Sequence, residues 1–382
     1  MPLKRILDIK QLVKKKSFFL LGPRGTGKSS LIQKTLGDEA YIIDLLHSVS
    51  YTRLLENPSQ LESMIALQSD KKIIVIDEIQ RVPELLNEVH RLIEKKKCHF
   101  LMTGSSARKL KKQGVNLLAG RARQAELFPL TFHEIPNFNL NRYLQYGGLP
   151  MIYLSDEPVE DLDAYVYTYL EQEIKAEAHV QKLPAFSRFL QLSALTSGNT
   201  LNFSSIANDA GVSSVTLREY YQILEDTFLG FIVEPWLHSV KRKASSTARF
   251  YYFDTGVKNK LAGITTLPEK TDLFGQAFEH FIAMELRAYL SYTRKKFPLY
   301  FWRTVEGHEV DFIIGNEIAI EVKSTEKLSE KYFKNLHYLM EEKKLKKYYM
   351  VSRDPIPAKY RNIIALPWKD FLKQLWEEKI IL

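Results

Sequence analysis

The sequence predicts an α/β protein, and three changes of pattern along its 382 residues indicate that class. From Phe18 to about Pro129, short apolar runs alternate with helical segments, which predicts a parallel sheet covered by helices on both faces. From about Asn141 to Leu195 the chain is helix-like and rich in tyrosine. Residues 201–254 predict two short helices followed by two strands, and the α/β pattern then returns until the end of the chain.

Composition narrows the class of protein further. Hydrophobic residues make up 45% and aromatic residues 12%, which is enough to fill a core in each of about two or three domains. The formal net charge of +9 favours polyanionic partners, because cationic side chains neutralise phosphates and release counterions. A single cysteine, Cys98, excludes an internal disulfide and a multi-cysteine zinc site, as expected in a reducing cytosol.

Hydrophobicity along the chain predicts where the protein resides. No apolar stretch approaches the length of a membrane span, and the N-terminal MPLKRILDIKQLVKKK lacks the uninterrupted apolar core of a signal peptide. An amphipathic membrane helix at the N terminus is the alternative to a solvated helix that leads into the first strand. We therefore expect a cytoplasmic protein without a membrane partner.

The first strong motif is GPRGTGKS, which follows the strand FFLL and precedes a helix that begins near Lys28. Its glycines let backbone N–H groups curl around phosphate oxygens, and the helix N terminus adds positive potential. Lys28 is predicted to reach the terminal phosphates of ATP, and Ser29 to ligate Mg²⁺. The residues expected to bind the nucleotide are Gly22, Pro23, Arg24, Gly25, Thr26, Gly27, Lys28, Ser29 and Ser30.

The second motif is IIVIDEIQ, in which four apolar residues predict a buried strand and two carboxylates follow at its C-terminal end. Asp77 is predicted to hold Mg²⁺ through water, and Glu78 to polarise the attacking water as general base. This pair indicates ATP hydrolysis rather than a kinase reaction. A solvated strand end is the alternative interpretation of the same two residues.

Polar residues also follow the next strand, HFLMTGSS, at a position suited to sensing the γ-phosphate. Thr103 is the first candidate and Ser105 the second. The helical stretch that follows ends in LAGRAR, where an arginine could reach the nucleotide of a neighbouring subunit. Arg121 is preferred to Arg123 for that role, and pairing of these arginines with local carboxylates is the alternative.

Together, GPRGTGKSS, VIDEIQ, LMTGSS and LAGR make the first half of the sequence resemble the AAA+ superfamily of ATPases. More closely, the chain resembles bacterial and archaeal AAA-type proteins whose C-terminal half is a domain of unknown function. This resemblance extends through YGGLP, RFYYFDTGVKNKL, FGQAFEHFIAMEL, EVDFII and IAIEVKS. It implies an ATPase core (1–140), a helical lid and connector (141–195), a winged-helix segment (196–260) and a nuclease-like domain (261–382).

The winged-helix interpretation depends on FSSIANDAGVSSVTLREYYQILEDT, which predicts a helix, a glycine turn and a second helix. The exposed side of the second helix carries little positive charge beyond Arg218, so sequence-specific reading of DNA bases is not expected there. The later turn LHSVKRKASST carries Lys241, Arg242 and Lys243, a basic wing tip suited to phosphates. A packing module with a solvated basic loop is the alternative.

Near the C terminus, DFIIGNEIAIEVK places charged residues in a pair of short apolar strands. Because strand side chains alternate, Glu321 and Lys323 point to one face, and the tight turn between the strands brings Asp311 opposite or diagonal to them. Glu279 lies in the preceding predicted helix, and Glu309 shares the strand face of Asp311. The sequence thus predicts that three or four charged groups converge on one patch.

This patch resembles the core of PD-(D/E)xK nucleases, although Val310 stands where a proline usually precedes the aspartate. The resemblance implies that Asp311 and Glu321 bind Mg²⁺, that Lys323 orients the attacking water, and that Glu279 supports the metal or its waters. Glu309 could also be the real ligand. The alternatives are a structural ion pair at a sheet edge and a relic site that no longer cuts.

Two functions from different classes follow from these motifs. In the first, an ATPase uses nucleotide-driven domain movement to control a Mg²⁺-dependent nuclease. Its substrate is DNA or RNA, and DNA is the preferred candidate. In the second, ATP binding switches assembly or partner binding, and the nuclease-like domain is a catalytically silent docking surface. We expect the protein to form a homo-oligomer or an ATP-dependent assembly.

Overall fold

The computed structural model describes residues 3–68, 71–96, 98–108, 120–170 and 183–381. Its N-terminal part is a parallel sheet of five strands in the spatial order β2-β3-β4-β1-β5. These strands are β1 (Phe18–Leu21), β2 (Ala40–Asp44), β3 (Ile73–Asp77), β4 (His99–Gly104) and β5 (Arg123–Glu126). The accompanying helices are α1 (Ile9–Lys15), α2 (Lys28–Leu36), α3 (Ser48–Glu56), α4 (Gln60–Ala66) and α5 (Leu85–Lys96).

Alternation along β1 explains why this sheet is covered on both faces. Leu20 packs in one apolar cluster with Leu31 of α2, whereas Leu21 packs in a second cluster with Leu86 of α5. A parallel strand buried on both faces reads as a continuous apolar run, as FFLL and IIVI do. The α/β prediction for this part of the chain is therefore confirmed, although β5 is shorter than the predicted run AELFPL.

The middle segment is mainly helical. Its helices are α6 (Leu140–Tyr146), α7 (Pro150–Tyr153), α8 (Pro158–Asp163), a π-helical stretch (Ala164–Leu170), α9 (Leu183–Leu195), α10 (Phe203–Ala210), α11 (Ser214–Asp226) and α12 (Thr255–Leu261). The predicted helix pair corresponds to α10 and α11, and the side chain of Ser213 caps α11 by accepting a hydrogen bond from Thr216 N. Residues of α9, α10 and α11 share one apolar cluster that includes Phe189, Leu217 and Tyr221.

Hydrogen bonds between the motifs YGGLP and FDTG connect helix α6 to helix α12. Asp254 is buried and accepts hydrogen bonds from Gly148 N (2.8 Å) and Val257 N (3.0 Å). Gly147 has a φ of 81°, and a Cβ there would lie 1.9 Å from Asp254 Oδ1, so this position requires glycine. Burial raises the pKa of Asp254 to about 6. These motifs thus join α6 to α12 and have a structural explanation.

The C-terminal part contains a mixed sheet of eight strands in the order β12-β13-β11-β10-β9-β8-β6-β7, counted over the described ranges. The strands are β6 (Gly230–Pro235), β7 (Arg249–Tyr252), β8 (Leu299–Arg303), β9 (Glu309–Ile314), β10 (Ile318–Lys323), β11 (Lys347–Ser352), β12 (Ala358–Tyr360) and β13 (Ile363–Pro367). Three helices flank it: α13 (Asp272–Tyr292), α14 (Lys334–Met340) and α15 (Trp368–Trp376). Among the described helices, none is long and apolar enough to cross a membrane.

Strands β6 and β7, which the sequence assigned to the winged-helix segment, belong to this C-terminal sheet. They pair with each other in an antiparallel hairpin. Strand β6 also pairs in parallel with β8, where Glu234 lies opposite Tyr300. The C-terminal sheet therefore contains strands from both sides of residue 260, the predicted boundary between the winged-helix segment and the nuclease-like domain.

Helix α13 lies between the two sheets. Its apolar residues, such as Phe281, pack in the core of the C-terminal sheet with Ile320. Its later residues contact the edge strand of the first sheet, because Arg287 pairs with Glu126 at 2.7 Å. One helix thus connects both halves of the molecule.

Candidate functional site

The loop GPRGTGKS follows β1 and opens α2, in the strand–loop–helix context that the motif requires. Gly22 has a φ of 145°, and a Cβ there would lie 2.4 Å from the carbonyl oxygen of Leu127. Gly27 adopts a left-handed conformation with a φ of 89° immediately before α2. The loop conformation thus depends on glycine at both positions.

Inside this loop, the side chain of Lys28 is buried and points back toward the loop carbonyls. Its Nζ donates hydrogen bonds to Gly22 O (2.7 Å) and Pro23 O (3.0 Å). Thr26 Oγ1 donates to the same carbonyl of Pro23 at 2.9 Å. Ser29, the predicted Mg²⁺ ligand, is exposed on the first turn of α2. Lys28 and the hydroxyl of Ser29 therefore both lie at the N terminus of α2.

The rest of the predicted nucleotide set surrounds this turn. Ser30 is exposed beside Ser29, and Gly25 lies against Tyr165 of the π-helical stretch. The Tyr165 hydroxyl donates to the carbonyl of Arg24 at 3.0 Å. The middle segment therefore contacts the loop directly.

Asp77 and Glu78 meet Thr103 at the C-terminal edge of the first sheet. Thr103 Oγ1 donates a hydrogen bond to a carboxylate oxygen of Asp77 and accepts one from Glu78 N at 2.9 Å. Because Leu20 of β1 lies opposite Thr103 in the sheet register, this group is one strand away from the phosphate loop. The structure therefore brings the predicted Mg²⁺-binding aspartate, general base and sensor residue together.

The backbone and side chain of Glu78 are both constrained. Its φ is 61°, a left-handed conformation that is uncommon for residues other than glycine. Its carboxylate accepts a hydrogen bond from Gln80 Nε2 and another from Ser105 Oγ at 3.3 Å. Gln80 is a contact that the sequence motif did not identify, although it lies within the quoted IIVIDEIQ.

A cleft of about 720 Å³ opens beside the start of α2. Its lining combines the N-terminal segment, the first turns of α2 and helix α7, including Leu3, Ile6, Leu31, Pro150 and Leu154. These mostly apolar walls adjoin Gly27 of the phosphate loop. The cleft therefore has the position and the apolar character that a nucleotide base needs next to its phosphates.

Arg5 connects this cleft to the rest of the molecule, and no motif in the sequence pointed to it. Its guanidinium donates to Thr26 O (2.7 Å) and Phe128 O (2.6 Å), and it pairs with Glu134 at 3.0 Å. Burial opposes the charge of Arg5, but Tyr292 and Glu134 raise its pKa above the ordinary value. Arg5 therefore stays charged where it supports the back of the phosphate loop.

Arg121 lies at the opposite end of the first sheet from the phosphate loop. It lies two residues before Arg123, the first residue of β5, which is paired with Phe18 at the start of β1. Arg121 Nε forms an exposed ion pair with Glu94 at 2.5 Å. Its own phosphate loop is therefore beyond reach, and the local pairing that the sequence left open is present.

The C-terminal sheet brings Asp311, Glu321 and Lys323 together. Lys323 Nζ lies 2.7 Å from Glu321 Oε1 and 3.8 Å from Asp311 Oδ2. Asp311 also accepts a hydrogen bond from Val322 N at 2.7 Å. Glu321 Oε2 is buried, and the described residues offer it no hydrogen-bond partner. One carboxylate oxygen is thus available to a cation.

Glu279 joins the same patch from α13, and Arg249 of β7 joins it from the hairpin. Glu279 accepts hydrogen bonds from Tyr251 OH (2.6 Å) and Arg249 Nη1 (3.3 Å). Arg249 also pairs with Glu309, and it is 2% exposed. The sequence had not linked Arg249 to this patch because it lies in a different motif. We call Arg249, Glu279, Glu309, Asp311, Glu321 and Lys323 the carboxylate cluster.

Burial and mutual repulsion shift the protonation of this cluster. Burial, together with the nearby Asp311, raises the pKa of Glu279 to about 7 and that of Glu321 to about 8. Asp311 and Glu321 in turn raise the pKa of Lys323, despite its own burial. The four carboxylates are paired with Arg249, with Lys323 and, at Glu309, with Arg303 (2.9 Å). Because the pKa values of Glu279 and Glu321 are raised to about 7 and about 8, we infer that the cluster retains a proton near neutral pH.

Mg²⁺ prefers several oxygen ligands, which only some members of the cluster can supply. In the described ranges, no group of three or more His, Cys, Asp or Glu side chains is arranged as a metal site. Arg249 and Lys323 contact the carboxylates instead. The unpaired oxygen of Glu321 and the adjacent Asp311 are nevertheless oxygen ligands of the kind that Mg²⁺ prefers. Asp311 and Glu321 are therefore the residues that would hold a cation here.

Family comparisons divide the chain into three parts. Residues 14–136 match a family described as AAA domain. Residues 137–267 match Domain of unknown function (DUF8612), and residues 274–371 match Domain of unknown function (DUF4143). The first match supports an ATP-binding domain of the AAA type. The third does not test the nuclease-like interpretation, which stays a prediction.

Similar proteins and structures complete the comparison. An uncharacterized protein of Mycobacterium tuberculosis is 28% identical over 320 residues, covering 80% of this chain and 70% of the relative. An uncharacterized protein of Methanocaldococcus jannaschii is 26% identical, covering 94% and 85%. The replication initiator DnaA bound to AMPPCP and single-stranded DNA has a TM-score of 0.29 at 11% identity, covering 57% of this chain and 86% of that chain. AMPPCP-bound DnaA from Aquifex aeolicus has a TM-score of 0.28 at 12% identity, with the same coverage, and neither score supports an inference about ligands.

Proposed function

We propose that this protein is an ATPase whose nucleotide state controls the carboxylate cluster, and that the cluster acts on DNA rather than RNA. The observation that carries this proposal is the path from the phosphate loop through Arg5 and α13 to Glu279. Arg5 donates to Thr26 O of the loop at 2.7 Å and to Tyr292 OH at 3.3 Å. Tyr292 ends the helix that carries Glu279.

This path runs along one helix, and its members Arg5, Glu279 and Tyr292 are half-buried. Glu279 and Tyr292 lie on one continuous helix, roughly 20 Å apart along its axis. Tyr292 OH also accepts a hydrogen bond from Phe128 N at 3.1 Å, which fixes the helix end to the segment after β5. A change in the loop backbone at Thr26 would therefore move a rigid element that carries a member of the cluster.

In the nucleotide site, we assign the reaction to the residues at the sheet edge. Lys28 would exchange the carbonyls of Gly22 and Pro23 for the terminal phosphates of ATP. Ser29 and Asp77 would hold Mg²⁺, which neutralises charge on the phosphates when bound. Glu78 would accept the proton of the attacking water after its carboxylate is released by Gln80.

At the C-terminal site, the proposed reaction is hydrolysis of a phosphodiester. Asp311 and Glu321 would hold Mg²⁺, which supplies Lewis-acid stabilisation of the phosphate when bound. Lys323 would orient the attacking water, and Glu279 would position these groups from α13. Arg249 holds Glu279 and Glu309 in place meanwhile.

Plasmid cleavage with and without ATP tests this proposal. We expect Mg²⁺- or Mn²⁺-dependent cleavage by the wild-type protein at a rate that ATP changes. Lys28→Ala should cleave at a rate that ATP does not change, and Asp311→Ala should not cleave. The path itself is tested by Tyr292→Phe, which removes one hydroxyl and should weaken the response to ATP.

Tyr289→Phe is the matched control for the path. It removes a hydroxyl one helical turn earlier, and the described residues offer that hydroxyl no hydrogen-bond partner. We therefore expect Tyr289→Phe to respond to ATP like the wild type. An equal loss of response in both variants would contradict the path through Tyr292.

The second candidate is the regulatory switch. It is favoured by the contacts of Arg249 and Lys323, which neutralise part of the cluster without a metal. In that case no metal supports cleavage, and ATP alters only the assembly state. Size-exclusion chromatography with light scattering, with and without ATP, would detect that change.

A further inference from the structure

A basic groove lies along α14, outside both sites described above. It has a volume of about 550 Å³, and its walls come from residues 330–341 and from the turn between β12 and β13. Lys331, Lys334 and Arg361 line it and are exposed. In the part of the chain that the structure describes, none of these three cations forms an ion pair. The groove therefore presents positive charge that no carboxylate of the described residues pairs with.

Acidic residues in the groove do not cancel this charge. Glu341 is paired with Arg242 at 2.7 Å, which leaves Glu330 as the lining carboxylate without an ion pair among the described residues. Arg242 also donates to Tyr338 O at 3.0 Å and lies 4.9 Å from the ring centre of Tyr338. The predicted basic wing tip is thus docked against α14, with Arg242 engaged in protein contacts.

This docking extends the basic surface beyond the groove. Lys241 and Lys243, the neighbours of Arg242, are both exposed. Their backbone is fixed because Glu342 accepts hydrogen bonds from Val240 N (2.7 Å) and Lys241 N (2.9 Å). The loop therefore places two further exposed cations near the groove.

Aromatic rings accompany these cations. Tyr360 is 36% exposed, and its ring is supported by Phe333, whose centroid lies 4.3 Å away. The ring of Tyr338 is supported in the same way by His308 at 4.0 Å. Arg242 also lies over the ring of Tyr338, so Tyr360 is the ring that is supported by a neighbour and still exposed. Such a ring suits stacking of an unpaired base, whatever the base sequence.

His308 also connects the groove to the carboxylate cluster. It immediately precedes Glu309, which pairs with Arg249. The side chain of His308 contacts Tyr338 of α14, whereas that of Glu309 contacts Arg249, which also pairs with Glu279 of α13. Duplex DNA offers no unpaired base face to the exposed ring of Tyr360, which favours a single strand.

We propose that the groove formed by Lys331, Lys334, Tyr338, Tyr360 and Arg361, together with the 241–243 loop, binds single-stranded DNA. This inference rests on the nucleic-acid part of the proposed function and names the surface responsible. The cations contact phosphates, and Tyr360 stacks on a base.

Fluorescence anisotropy with a fluorescein-labelled single-stranded DNA of about 20 nucleotides tests this inference on the full chain. The triple variant Lys331→Ala/Lys334→Ala/Arg361→Ala should bind at least tenfold more weakly, and the slope of log affinity against log salt should fall by about 2. The control triple Lys14→Ala/Lys15→Ala/Lys72→Ala removes the same charge from exposed positions on the N-terminal domain. It should change the affinity less than twofold.

A second pair of variants separates stacking from charge and does not depend on the folding of the triple. Tyr360→Ala should weaken binding at least fivefold, whereas Tyr360→Phe should stay within twofold of the wild type. Equal losses in the two triples, or tighter binding of a duplex of the same length, would overturn the inference. Absence of DNA binding by the wild type would overturn both the groove and the DNA part of the proposed function. ATP turnover, measured separately, reports on the nucleotide site alone.

Discussion

The nucleotide loop takes its residues from consecutive positions, Gly22 to Ser30, whereas the carboxylate cluster takes its members from separate elements. Arg249 comes from β7, Glu279 from α13, Asp311 from β9 and Glu321 from β10. The loop works through backbone geometry, which a short sequence fixes locally. The cluster works through buried charge, which depends on every element that packs against it. A site of the first kind can be predicted from its motif, and a site of the second kind only in part.

The largest expected effect tests the claim that the loop and its sheet edge form a complete ATPase site. Glu78→Gln should bind ATP normally but hydrolyse it about 10² to 10⁴ times more slowly, because a general base contributes that much. Lys28→Ala should abolish binding. Equilibrium binding of a fluorescent ATP analogue and phosphate release measure the two steps. Normal turnover by Glu78→Gln would place the base on another residue.

The next prediction concerns whether one subunit supplies the whole nucleotide site or whether Arg121 of a second subunit completes it. If Arg121 acts in trans, hydrolysis per subunit should rise with protein concentration, and Arg121→Ala should lower it at least about tenfold. Mixing Arg121→Ala with Lys28→Ala protein should then restore some activity, because one mixed interface has both residues. Turnover that does not depend on concentration would limit Arg121 to its ion pair with Glu94.

A smaller effect concerns the buried charge of the cluster. The pKa values of Glu279 and Glu321 are raised to about 7 and about 8 from 4.5, so the folded state favours their protonated forms. The two protonated carboxyl groups make their full contribution to folding stability below pH 4.5, and this contribution is lost as the pH rises through 7 to 8. Glu321→Gln keeps a neutral group at every pH. On going from pH 5 to pH 9, the free energy of unfolding of this variant should therefore rise by on the order of 2 kcal/mol relative to that of the wild type.

Urea denaturation at both pH values measures this difference. Glu317→Gln is a matched control on the same hairpin, because the Glu317 carboxylate pairs with Lys346 at the surface. Its effect on the free energy of unfolding should be nearly independent of pH. A Glu321→Gln variant that loses stability on going from pH 5 to pH 9 as steeply as the wild type would contradict the inference.

The smallest effect tests whether a cation can replace the protons of the cluster. Without nucleotide, millimolar Mn²⁺ should raise the melting temperature by a few degrees at pH 8, because binding to the folded state alone stabilises it. The increase should be smaller at pH 6, where the carboxyl groups are more protonated, and absent in Asp311→Asn. Equal melting curves with and without Mn²⁺ would favour the switch over the nuclease.

The sequence alone predicted the α/β class, the position of the phosphate loop and the convergence of Asp311, Glu321 and Lys323. These features follow from periodicity and local motifs, because a parallel strand buried on both faces is a continuous apolar run and strand side chains alternate. The same local rules could not show that β6 and β7 join the C-terminal sheet. Strand partners that lie far apart in the chain leave no periodic signal at either position.

Only the tertiary structure identified Arg5 and Arg249 as buried cations at the two sites. Neither residue belongs to a motif that specifies its partner, and each acquires its role from carboxylates more than a hundred residues away or on another element. The raised pKa values of Glu279 and Glu321 likewise depend on burial by the assembled sheet and α13. A site built from consecutive residues can be predicted from the sequence, whereas desolvation and long-range pairing exist only after the chain has folded.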